Sequence, residues 1–329
     1  MERKMRLRNR GDRGCRTSAN EFLASDERRA QMRRGWGGAK CREWRSGDKH
    51  TEALGGTVRD PSNRPLSLAA ALSELTALHS DTEGIAEIAA VGTAAVSALR
   101  DILFQREPSG LYQVRCRAAQ ALGLLGAFDV LEEFLRRPRR SDPVERLGDD
   151  VVVSAVARAI ARRNDETTFA LLCELARAHP LDGVISAVAT FRRSEAISIL
   201  IGALDEGEVR QTVEAALASF GDDARPFFLG AVDQLRFENE LSESRLRRYR
   251  SLLLLLGRGR PTPEEIDRLR PLMTHADLQI SLLACLIALR SDLKPARSEA
   301  RARLRDLRQR VPWLEQLQID QYLASAKSG

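Results

Sequence analysis

From residue 66 onward, apolar side chains recur every three to four positions, in runs broken by short polar or Gly/Pro-bearing stretches. In VRCRAAQALGLLG (114–126), Val114, Ala118, Ala121, Leu122 and Leu125 stand at i, i+4, i+7, i+8 and i+11, one face of an α-helix, and Gly126 closes it. VRQTVEAALASFG (209–221) repeats the pattern: Val114, Arg115, Ala121, Leu122 and Gly126 map onto Val209, Arg210, Ala216, Leu217 and Gly221 at a constant shift of 95. DDVVVSAVARAIARR (149–163) carries Val152, Val156, Ala159 and Ile160 at a shift of 38, and ADLQISLLACLIALR (276–290) carries Leu278, Leu282, Leu286 and Leu289 at a shift of 164. Between these, helices are predicted wherever a stripe begins at a capping residue: Ser67, Asp165 and Thr262 as N-caps, Pro226 and Pro263 in first turns. PRRSDPVERLG (138–148) reads as a Pro-broken polar loop, and TPEEIDRLRPLM (262–273) as one helix. The Val-rich 151–153 is the best strand candidate, but it runs straight into SAVARAIARR and reads as helix.

The motif-bearing helices follow one another at spacings of 38, 32, 25, 38 and 31 residues. A recurrence in that range, built from helix pairs, predicts an all-α fold: an α-solenoid of stacked antiparallel helix pairs. One pair alone leaves its apolar stripe in water, whereas stacked neighbours cover it. Each buried aliphatic side chain then contributes roughly 1.5–3 kcal/mol. Residues 58–329 are expected to hold about six to seven such pairs.

SALRDILF…YQVRCRAAQALGLLG and ISILIGALDEGEVRQTVEAALASFG resemble HEAT-like repeats of the phycobilisome-lyase type. That pattern is an apolar first helix, an acidic turn, Val-Arg, paired small residues and a closing Leu/Phe-Gly. The second unit matches well, with Asp205 and Glu206 before Val209-Arg210; in the first, QREPSG replaces the acidic turn, and the middle units lack the Arg and the Gly. The resemblance implies that Arg115 and Arg210 pair with acidic turn residues such as Asp205 and join repeat to repeat. It also implies that inner helices line a concave face. Arg117, Gln120, Arg158, Arg162, Gln211 and Glu214 fall off the apolar stripes of those helices and are the candidate partner-facing residues. The repeat serves lyases, adaptors and DNA-binding proteins alike.

Composition changes the picture at the ends. Residues 1–57 carry a net +7, mix Arg, Gly, Ser and Trp without a period, and stand apart as a basic leader. Three readings stay open for it: a disordered tail, sequence upstream of the true start with Val58 as the alternative, or an arginine-rich arm for nucleic acid or membrane, which Trp36 and Trp44 favour. Residues 58–293 come to −5, while KPARSEARARLRDLRQR (294–310) comes to +5. Nucleic acid is therefore expected only through the leader or 294–310. Arginine outnumbers lysine 47 to 5, a ratio that fits either a GC-rich genome or a use for bidentate contacts. Five cysteines (15, 41, 116, 173 and 285) without a CxxC suit reduced thiols in the cytoplasm. The longest near-apolar run, ISLLACLIAL (280–289), is too short for a bilayer.

Candidate chemistry is sparse. His50, His79, His179 and His275 are scattered with no HxxxH or HExxH, and His179 beside Pro180 reads as loop punctuation. Glu264 and Glu265 fit a helix first turn. There is no Walker A, no GxGxxG and no nucleophile elbow. The expectation is a non-enzymatic adaptor without metal or cofactor that binds a protein along its inner helices. DNA binding or repair is the alternative, and a phycobilin lyase-like activity is a more distant one.

Overall fold

The computed structural model describes residues 67–76, 82–105, 112–139, 141–236 and 241–325, all within one compact unit of the chain. The leader 1–57 with Cys15, Trp36, Cys41, Trp44 and His50, together with Val58 and His79, lies outside the described residues.

The described residues are helical, without a strand, and fall into eight consecutive pairs. These are α1 (Leu68–Thr76) with α2 (Thr82–Val91), α3 (Val96–Phe104) with α4 (Gln113–Leu124), and α5 (Phe128–Leu135) with α6 (Pro143–Ile160). Then come α7 (Glu166–Ala178) with α8 (Asp182–Thr190), α9 (Ser194–Ala203) with α10 (Arg210–Ser219), and α11 (Arg225–Arg236) with α12 (Glu243–Leu256). The last are α13 (Pro263–Leu269) with α14 (Leu278–Leu289) and α15 (Lys294–Arg308) with α16 (Trp313–Ser325). The spacing of the motif undercounts them, because the terminal pairs α1–α2 and α15–α16 do not repeat it.

The packing is that of an α-solenoid. Second helices touch in succession from α2 through α4, α6, α8, α10 and α12 to α14, and first helices α7, α9, α11 and α13 form the other row. Neighbours in a row run parallel, as register shows. Cys116 Sγ lies 3.9 Å from the Val151 carbonyl, and seven residues on, a Cβ on Gly123 would lie 2.9 Å from that of Ala159. Partners on α4 and α6 therefore advance together. Between the rows lie Leu99, Leu122, Leu131, Ile160, Leu172, Ile185, Ile197 and Leu200, with essentially no exposure. This is the cover that a lone pair lacks.

Two expectations are corrected. PRRSDPVERLG is not wholly loop, since α6 begins at Pro143. Proline at a first helical position gives up an N–H that no helix would use, and the Asp142 Oδ1 accepts the Glu145 N–H at 2.9 Å as a cap. The predicted helix 262–273 divides at Leu269 and continues as a 3₁₀ turn, Arg270–Thr274, where Pro271 has no N–H for an α-helical ladder. Residues 151–153 are helical. The stop at Gly126 takes φ +70°, as does its counterpart Gly221 at +65°, a conformation open to glycine.

Candidate functional site

Arg115 opens α4 and is 7% exposed. Its Nη1 donates to Asp149 Oδ1 at 2.8 Å on α6, in the next pair, and its Nε donates to the Leu103 carbonyl at 2.9 Å on α3. One guanidinium thus fastens three helices. Arg210, in the equivalent place, does not join repeats. Its Nε stands 3.8 Å from Glu214 Oε1, one turn on in the same helix, and is buried without a hydrogen-bond partner among the described residues. The physical reason is competition, because Asp205 is held instead by Arg248 of the following pair, which also donates to the Gly202 carbonyl at 3.1 Å.

The same device recurs where no motif marks it. Arg225 on α11 forks onto both oxygens of Glu265 on α13, at 2.9 and 2.6 Å, and donates to the Leu256 carbonyl at 3.0 Å. Arg250 on α12 reaches the N-cap of α14, Asp277, at 2.6 Å. Arg268 binds Asp233, and Arg100 binds Glu133 at 2.6 Å. A planar fork with several donors suits a junction that must satisfy a carboxylate and an orphan carbonyl together.

The six candidate partner-facing residues divide. Arg117 is half-buried and donates to the Leu75 carbonyl of α1 at 3.0 Å; Glu214 is half-buried and accepts from Ser251 Oγ on α12 at 2.6 Å. Both are engaged between helices. Gln120, Arg158, Arg162 and Gln211 are exposed. The close approach of Gly123 to Ala159 sets Gln120 and Leu124 of α4 beside Arg158 and Arg162 at the end of α6. Leu124 is 49% exposed, and neither arginine has a carboxylate partner among the described residues. One uncovered leucine is thus flanked by two cations and an amide.

In the basic stretch 294–310, Arg303 donates to the Met273 carbonyl at 3.0 Å and to Asp306 at 2.6 Å, and Arg308 forks onto Asp320 at 2.7 and 2.9 Å. Part of its charge is therefore spent within the fold. The thiols are held protonated. Burial pushes Cys285 up to about 12, and it also raises Cys116 and Cys173, outweighing the nearby arginines. As nucleophiles they are poor.

A cavity of about 740 Å³ that the sequence did not mark opens at the other end of α6. Arg137, Arg139, Arg146 and His179 line it; Arg139 and Arg146 come from the stretch read as loop, and His179 was read as punctuation. The signal available beforehand was the density of arginine in 136–146; what hid it was that the surrounding groups come from three successive pairs.

No family model and no curated protein matches the sequence. Among solved structures the chain is similar to the complex of CpcE and CpcF of phycocyanin lyase from Nostoc sp. PCC7120, with 18% identity and a TM-score of 0.33, over 78% of this chain and 100% of that one. That protein is an enzyme by its description. The expectation that this chain is not an enzyme is corrected accordingly: want of a recognisable catalytic motif in a helical array does not exclude catalysis. A likeness of that size carries neither substrate nor partner across. Among the described residues no helix is long and apolar enough to cross a membrane.

Proposed function

We propose that the chain is a HEAT-like helical-repeat scaffold that docks an acidic protein segment across the C-terminal ends of its second helices. The observation that carries this reading is the pair Arg158 and Arg162, one turn apart, exposed and without a carboxylate, next to the exposed Leu124. Several arginines along both rows find carboxylates or carbonyls across helices, Arg115, Arg225 and Arg250 among them. Two that do not, beside an uncovered leucine, complement a segment bearing acidic and apolar side chains. The backbone that presents them is already ordered by both rows, so little conformational freedom is lost on docking. The three described cysteines are free thiols, which suits a reducing, cytoplasmic setting.

The test is affinity capture from a lysate of the source cells, comparing the full chain with Arg158→Glu/Arg162→Glu, whose fold is checked by circular dichroism. The reading expects a salt-sensitive acidic protein that the wild type retains and the charge-reversed variant loses. Identical capture by both proteins, or no capture by either, overturns it.

A further inference from the structure

We propose that the cavity at the N-terminal end of α6 binds a small polyvalent oxyanion, phosphate- or carboxylate-bearing, between the guanidiniums of Arg137 and Arg146. The space is bounded by the C-terminal ends of α3, α5 and α7 and the N-terminal ends of α4, α6 and α8, and about 740 Å³ is within the range of small-molecule sites. Its charge is unbalanced. Two of its arginines are already neutralised, Arg115 by Asp149 and Arg139 by Asp150. Arg137 and Arg146 have no carboxylate among the described residues, which leaves two cations over in a partly enclosed space.

Arg137 is also held in place. Its guanidinium carbon lies 4.8 Å from the centroid of the Phe104 ring and 5.9 Å from that of Phe134, and these rings meet edge to face at 5.6 Å. Arg100 lies over Phe104 as well, at 4.7 Å, so the aromatic pair serves to position cations. A side chain fixed before the ligand arrives loses less freedom on binding. His179 gives a second sign of the local field: desolvation first, then Arg139 and Arg146, hold its imidazole below the usual range, against the opposing pull of Asp150. Guanidiniums recognise phosphate and carboxylate by paired N–H donors, and that fixes the ligand class.

This site is independent of docking at the far end of α6. Arg146 and Arg162 are sixteen positions apart, about 24 Å along a helix. The experiment is isothermal titration of the full chain with inorganic pyrophosphate in one arm and citrate in the other, at low and moderate salt. Proteins compared are the wild type, Arg137→Gln, Arg146→Gln, the double variant, and Arg158→Gln/Arg162→Gln as a control. All the substituted side chains are exposed, and unliganded melting temperatures confirm the fold. At least one anion is expected to bind. Each single substitution should weaken it about tenfold, the value of a lost charge-assisted hydrogen bond, and the control should bind as wild type. Tighter binding of pyrophosphate assigns the site to phosphates, and tighter binding of citrate to carboxylates. The proposal fails if neither anion binds at millimolar concentration, if the double variant binds as wild type, or if the control loses as much.

Discussion

At the scale of single residues, the core of α12 contains a hydroxyl with nothing to bond. Tyr249 has no exposure, and its Oη has no hydrogen-bond partner among the described residues; burial drives its phenol strongly upward. Its ring still packs edge to face on His275, at 5.8 Å. Tyr249→Phe keeps the ring and removes the unmet donor. It is expected to raise stability by about 1 kcal/mol in urea unfolding. The Arg225–Glu265 pair sets the opposite case. Both partners are buried, at 9% and 6% exposure, so Glu265→Ala leaves a guanidinium uncompensated and should cost about 3–5 kcal/mol. Desolvation pushes the Glu265 carboxyl up, but Arg225 and the Thr262 N–H outweigh it and hold the group below its ordinary 4.5. Asp277 behaves alike: burial raises it, and Arg250 and the Ile280 N–H bring it below 3.8. Because the folded values lie below the unfolded ones, their stabilisation is complete above the unfolded values. It is lost as pH falls through the folded ones. Melting temperature in the wild type is therefore expected to drop below about pH 4.5, and the drop should shrink in Glu265→Ala.

At the scale of elements, two helical glycines part company. A Cβ on Gly183, at the start of α8, would run into the Ser154 carbonyl of α6, whereas one on Gly230, inside α11, meets nothing within 4 Å. Gly183→Ala is expected to destabilise by about 1–3 kcal/mol, through separation of α8 from α6. Gly230→Ala should stabilise by about 0.5–1 kcal/mol, through helix propensity alone. Chemical denaturation of both variants checks the sign. These approaches also explain what the chain disclosed in advance. Stripes such as Val114–Leu125 and caps such as Asp165 and Thr262 are local, so pattern and capping chemistry suffice to place their helices. Pro143 was misread because proline both breaks helices and begins them, and the deciding cap lies one residue earlier, at Asp142. Of the candidate site, the register that brings Leu124 beside Arg158 depends on Gly123 touching Ala159, a pairing across 36 positions that periodicity does not encode.

At the scale of the whole molecule, the arginine excess has a structural use. Arg115, Arg225, Arg248 and Arg250 each leave one helix pair to hold a carboxylate or carbonyl in another. Resemblance to a repeat pattern pointed to Arg115; it gave no hint of Arg225 or Arg250, whose partners lie outside the motif. Each pair is joined chiefly to the next through its row contacts and these bridges. The terminal helix α16 has α15 as its main support and keeps Trp313 at 69% exposure. Backbone amides of α16 are therefore expected to exchange with deuterium well before those of α8, which lies between neighbours on either side.

A chain fastened in series has a weak link wherever one fastening is cut. The Arg225–Glu265 bridge spans the boundary between the sixth and seventh pairs, so cutting it should do more than lower the melting point. Calorimetry of Glu265→Ala is expected to resolve one heat-absorption peak into two, as the blocks on either side of the break melt apart, whereas Tyr249→Phe, which keeps the ring's packing on His275, should leave a single peak.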